Sequence, residues 1–113
     1  MTVLIRDEGP ADRDAALEVE RAAFDTELEA EIVAAVRDEK DSFALVAEDD
    51  NGAVIGHIQF SRAWIGETVV VALGPVGVVP ERHGRGIGSA LIRTGLDRAR
   101  ERGEGGFGST GTS

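Results

Sequence analysis

The sequence predicts an α/β protein of the α+β kind, with elements in the order β-α-α-β-β-β-α. Three observations predict it. Phe43 to Glu48 alternate in the two-residue rhythm of a strand, and Val54 to Phe60 return after an Asn51-Gly52 turn. Ala11 to Val36 carry apolar residues at helical spacing. A β-branched run, Thr68 to Val79, leads through a glycine-rich turn into another helical pattern.

Each element has a local reason. Val3 to Arg6 is a short strand broken by Gly9-Pro10, and proline suits the first turn of a helix. The first helix is expected over Ala11 to Phe24, with Leu17 and Phe24 on its apolar side. The second is expected over Glu27 to Val36, with Leu28, Ile32 and Val36 on one face. Asn-Gly accepts positive φ at both turn centres, so Asp49-Asp50-Asn51-Gly52 joins the next two strands as a hairpin. Gly74-Pro75 interrupts the fourth strand, and proline there implies a bulge or a sheet edge. The third helix is expected from about Gly86 to Arg102, with an apolar arc of Ile87, Leu91, Ile92, Leu96 and Ala99. Arg93, Asp97, Arg100 and Glu101 fall on its opposite side.

The turn before that helix carries the chemistry. His83-Gly84-Arg85-Gly86-Ile87-Gly88-Ser89 places closely spaced glycines at a helix N-terminus. Glycines let backbone N–H groups approach a ligand with no Cβ in the way. The first helical turn supplies unpaired N–H donors and the positive end of the macrodipole. Together they describe a phosphate or diphosphate site. The chain is acidic, with formal net charge -9, yet Arg82, Arg85 and Arg93 fall in an acid-free stretch from Arg82 to Thr94. A basic island in an acidic protein fits a local anion site. Two phosphate-loop templates fail. No Gly-Lys pair exists for a P-loop, and G-x-G-x-x-G meets Ser89 or Leu91 at its last glycine.

The longer string from Gly74 to Ile92 resembles the acyl-CoA-binding motif of the Gcn5-related N-acetyltransferase (GNAT) superfamily, Gln/Arg-x-x-Gly-x-Gly/Ala after a strand ending near Pro-Glu. His83 stands at the Gln/Arg position, a departure, with Gly86 and Gly88 as the two glycines. The resemblance covers residues 1 to 102 and implies a partial acyl-CoA N-acyltransferase fold, a mixed, mostly antiparallel sheet flanked by helices. It implies acetyl-CoA as acyl donor. Val76, Gly77 and Val78 match the strand segment that binds the pantetheine arm, and His83, Gly84, Arg85, Gly86, Ile87, Gly88 and Ser89 match the diphosphate loop.

The implied reaction is direct transfer of acetyl to a primary amine. A backbone N–H near Val78 would hold the developing oxyanion, and a carboxylate, directly or through water, would take the amine proton. Glu67, before the fourth strand, and Glu20 and Glu31, on the helices, are candidates, but each reads first as a solvated surface acid. His57 is a further candidate and reads first as a hydrogen-bonded structural histidine. Trp64 could line an acceptor pocket or simply pack. Many relatives protonate the leaving thiolate with a tyrosine, and this chain contains none.

Composition bounds the rest. The 113 residues suffice for one core, with no internal repeat or second domain. Without cysteine there is no disulfide, thiol nucleophile or cysteine zinc site, and no metal site is expected. The apolar runs are too short to span a membrane, and Met1 to Asp7 lacks signal-peptide character, so cytoplasmic residence is the expectation. The acidic balance speaks against nucleic acid and tolerates a cationic amine; a small-molecule or peptide amine as acceptor is what the resemblance implies. Gly103 to Ser113 reads as a flexible tail where the family continues with a fifth strand, so the domain is expected to be incomplete after Arg102. Two alternatives follow: a non-catalytic CoA- or phosphate-binding fragment, and an interaction module or homodimer that pairs through an exposed fourth strand.

Overall fold

The computed structural model describes residues 3–37 and 42–101, and their side chains except at 62–65 and 68–73. The order is β1 (Leu4–Asp7), a 3-10 turn (Pro10–Asp12), α1 (Arg13–Phe24), α2 (Leu28–Val36), β2 (Phe43–Glu48), β3 (Val54–Ile65), β4 (Thr68–Val78), a second 3-10 turn (Pro80–Arg82) and α3 (Ile87–Glu101). The strands form one sheet in the order β1-β2-β3-β4, antiparallel at every pairing. This is the α+β arrangement the sequence predicts. The proposed tail lies outside the described residues.

Proline explains the start of the first helical segment. Pro10 opens a 3-10 turn, and the α-helix begins only at Arg13. Asp12 ties this corner to β1: its carboxylate receives Gly9 N–H at 2.8 Å and two nitrogens of Arg6 at 2.7 and 3.0 Å. Arg6 also bonds Glu48 of β2. The Arg6 guanidinium, with help from Gly9 N–H, holds the Asp12 carboxyl down at about 2. A carboxyl whose folded pKa lies below its unfolded one stabilises the fold above the unfolded value, and that contribution disappears as pH falls through the folded value. Melting temperatures should therefore show an Asp12-dependent loss between about pH 4 and pH 2, and Asp12→Asn should flatten that limb of the profile.

The helices bury different faces from those expected. In α1 the buried residues are Ala16, Val19 and Glu20, while Leu17 is half-buried and Phe24 exposed. In α2 they are Ala30 and Val33, with Leu28 and Ile32 exposed. Small residues form the seam on the sheet, and the large apolar ones lie outside it. An exposed leucine is ordinary, which is why size is a poor guide to the buried face. α3 follows its prediction, with Ile87, Leu91 and Ala99 buried, and adds Gly95 to the same stripe.

The sheet has two helical faces. Gly56 lies under Leu91 and Ile87 of α3, whereas Gly77 lies against Glu20 and Ala23 of α1. The core between sheet and α3 gathers Leu45, Ala47, Ile55, Ile58, Phe60, Ile87 and Leu91. The interruption at Gly74-Pro75 is a bulge. Ile58 pairs with Val76 and Phe60 with Leu73, so Gln59 faces two residues of β4. A Cβ on Gly74 would sit 2.9 Å from the Gln59 carbonyl oxygen, which leaves room there only for glycine.

Candidate active site

β4 and α3 meet at an open edge. Val79 N–H donates to Ile55 C=O at 3.0 Å, which makes that pair hydrogen-bonded. Antiparallel ladders alternate, so the next bonded pair is Gly77 with His57, and Val78 opposite Gly56 is not bonded across the ladder. The N–H and C=O groups of Val76 and Val78 therefore point away from β3, toward the outer edge of β4.

The glycine turn closes this edge. Gly84 and Gly86 have φ of 81 and 77°, and a Cβ at either would meet nothing within 4 Å. They are glycines because the backbone is left-handed there, and the space beside them is open. Ala90 N–H bonds Gly86 C=O at 3.0 Å, so the N–H groups of Ile87, Gly88 and Ser89 precede the helical ladder and have no partner within it. A cleft of about 340 Å³ runs past these donors. Its walls are Val76 and Val78 of β4, Arg82 to Gly84 and Gly86 of the turn, Ile87 to Ser89 of α3, and Ala23 and Phe24 of α1.

Eight of the ten expected cofactor residues thus line one cleft. Gly77 lies beneath it instead, in the sheet. Arg85 lines an adjoining hollow of about 210 Å³ with Val3, Ile5 and Ala90. His83 is partly committed: its Nε2–H donates to Val78 C=O at 2.6 Å, so the ring braces the turn against β4. Arg82 of the basic island is committed too, to Asp49 Oδ2 at 3.0 Å. Ala23 and Phe24 were not expected. Phe24, expected on the apolar side of the first helix, is instead exposed beside the cleft.

The candidate bases separate clearly. Glu20 is fully buried, contrary to its reading as a solvated acid, and so is His57. Glu20 Oε2 and His57 Nδ1 are 2.6 Å apart. Spacing carried a signal here, because Ala16, Val19, Glu20 and Ala23 share one helical stripe. Glu20 Oε1 makes no hydrogen bond and lies against Gly77, where a Cβ would approach it to 2.7 Å. On the other side of the ring, His57 Nε2 is 3.7 Å from Glu8 Oε2, and Glu8 is 3.5 Å from Arg37. Glu31 is exposed on α2. Glu67 is exposed at the tip of the β3–β4 hairpin, about 36 Å along the strand from Val78 at roughly 3.3 Å per residue. Trp64 lies on β3, but its side chain is outside the described residues.

Comparison with known proteins decides the family. Residues 11–109 match the model of the acetyltransferase (GNAT) family. The chain belongs to that family. This GNAT chain is 38% identical over 90 residues to the uncharacterized N-acetyltransferase YjhQ of Escherichia coli K12, covering 74% of itself and 49% of YjhQ. It is 36% identical over 104 residues to the uncharacterized N-acetyltransferase YhbS of the same strain, covering 88% of itself and 61% of YhbS. It therefore spans between about half and three fifths of these relatives. A GNAT acetyltransferase from Brucella melitensis, solved with acetyl-CoA, superposes with TM-score 0.82 at 42% identity, over 94% of this chain and 73% of that one. YhbS from E. coli, solved with CoA, superposes with TM-score 0.79 at 35% identity, over 89% and 58%.

Proposed function

We propose that this GNAT chain binds acetyl-CoA in the cleft between β4 and α3 and supports direct transfer of the acetyl group to a primary amine. One observation carries the reading: the outward backbone groups of Val76, the outward N–H of Val78 and the free N–H groups at the start of α3 open into a single cleft. The residues fit the donor. The unpaired donors of Ile87, Gly88 and Ser89, beside the open space at Gly84 and Gly86, suit a diphosphate. Val76 and Val78 suit an extended arm laid along the strand. Val78 N–H is the donor placed to meet oxyanion charge. Acetyl-CoA supplies the activated thioester.

The amine proton falls, through an intervening water, to the Glu20–His57 pair. Of the four candidate bases, Glu20 lies against Gly77 of β4, and His57 of β3 is the cross-strand partner of Gly77. The acceptor is a small-molecule or peptide amine. Cytoplasmic residence belongs to the same proposal; among the described residues no helix is long and apolar enough to cross a membrane. A second reading, a CoA-binding module without turnover, draws on the lack of any tyrosine in the chain. Pairing of two copies along the edge of β4 would use the same outward groups.

Calorimetry tests the binding. Hydrogen bonds to charged groups contribute about 1.5–3 kcal/mol each, and micromolar affinity needs about 8 kcal/mol. CoA should release measurable heat with the wild-type chain. Gly86→Val should weaken binding at least tenfold, because a β-branched residue cannot hold φ of 77° and its side chain fills the open space. No heat at millimolar CoA would remove the proposal. Heat with CoA, but no thiol release from acetyl-CoA across a panel of amines, would favour the module without turnover.

A further inference from the structure

We propose that Asp49, in the β2–β3 turn, is a positioning residue for the CoA loop, acting through Arg82; the inference rests on the CoA reading above. Asp49 is a hub. Its Oδ1 receives Asn51 N–H at 2.9 Å and Ala53 N–H at 3.0 Å, which shapes the hairpin turn. Its Oδ2 receives Arg82 Nη2 at 3.0 Å. The side chain is nearly buried, with 8% exposure, and that of Arg82 is 23% exposed. The backbone N–H groups of Ala53 and Asn51, with Arg82 adding to them, hold the carboxyl below its usual range, so the acceptor stays ionised at neutral pH.

The loop needs such an anchor. Two glycines with positive φ, Gly84 and Gly86, follow Arg82 within four residues. Glycine has the largest backbone freedom to lose, and an unanchored loop would lose it on binding. Arg82 ends the 3-10 turn that feeds this segment, and its N–H bonds Val79 C=O at 2.9 Å. Fixing its side chain to a different hairpin sets where the segment starts. His83, on Val78 C=O, sets its direction. Between them the α3 donors are held before ligand arrives, which is preorganisation. The same geometry assigns Arg82 to the scaffold instead of to the diphosphate.

Asp49→Asn is the incisive variant, since its side-chain oxygen still accepts the turn's N–H groups while the charge facing Arg82 is gone. Calorimetry with CoA should show affinity three- to tenfold weaker in Asp49→Asn and in Arg82→Gln. The double variant should be no weaker than Arg82→Gln alone, because Asp49 acts on the loop through Arg82. Melting temperatures report folding separately. Amide exchange in the free chain should quicken at least threefold at Gly84 to Gly88 in Asp49→Asn and stay unchanged at Val46 in β2. Unchanged loop exchange would overturn the proposal whether or not CoA binds. Multiplying single effects would overturn it too, as would tighter CoA binding by Asp49→Asn, which would make Arg82 a ligand released from restraint. Absence of CoA heat with the wild-type chain, alongside quickened loop exchange, would instead remove the CoA reading and leave the anchor standing.

Discussion

Replacing His57 by leucine should cost the folded chain about 1–3 kcal/mol or more, the usual effect of leaving a buried polar group without its hydrogen-bond partner. Leucine leaves Glu20 fully buried with neither carboxylate oxygen bonded, since Oε1 has no partner even in the native chain. A domain of this size has about 5–15 kcal/mol in total, so the loss is a large share. Pairing His57→Leu with Glu20→Met should recover part of it, because the buried carboxylate left unpartnered by the single change is gone, while Glu8 keeps its ion pair with Arg37. Denaturant titration of the two singles and the double reads this coupling. Singles that add, or a His57→Leu chain as stable as wild type, would show that the pair is not an energetic unit.

The second large effect belongs to Gly95. A Cβ there would fall 2.1 Å from the Phe60 ring, and that ring is fully buried. It cannot swing away freely, because it stacks on Phe43 at 4.7 Å with planes 2° apart. Gly95→Ala should therefore force α3 off the sheet or the ring off its rotamer, costing about 1–3 kcal/mol or somewhat more. The α3 shift moves the cleft donors as well, so CoA affinity should fall with stability. Phe60→Leu in the same chain should restore part of both. A Gly95→Ala chain that melts with wild type would mean that helix and ring yield more easily than this packing allows.

These two sites show what the sequence made legible. Element order and type were readable, because Asn51-Gly52, Pro10 and Gly74-Pro75 act locally, each restricting its own backbone. The glycine turn was readable for the same reason, and it marks the cleft. Which face of α1 and α2 turns inward was not readable from apolar size, since alanines, valines and Glu20 form the seam while Leu28 and Ile32 stay outside. Glu20, a candidate base from the sequence, was read as a solvated acid because an isolated glutamate is best placed in water. Its partner His57 is 37 residues away in sequence, and only the fold brings them to 2.6 Å. Gly95 is required by Phe60, which lies on a different element, so the sequence around it gives no sign of the need. The roles of Arg82 and Asp49 were hidden in the same way: a cation beside a phosphate-type loop invites one reading until a distant hairpin claims it.

The bulge at Gly74-Pro75 divides the long hairpin into two functional lengths. Inward of it, β4 is committed to the cleft through Val76 and Val78. Outward of it, the ribbon from Phe60 to Leu73 carries its own ladder and ends in the exposed tip at Gly66 and Glu67. Alterations at that tip are separated from the cleft by the register shift at Gln59. The outer ribbon is accordingly a natural handle, where an affinity tag, a fluorophore or a grafted recognition loop should leave the cleft at the other end undisturbed.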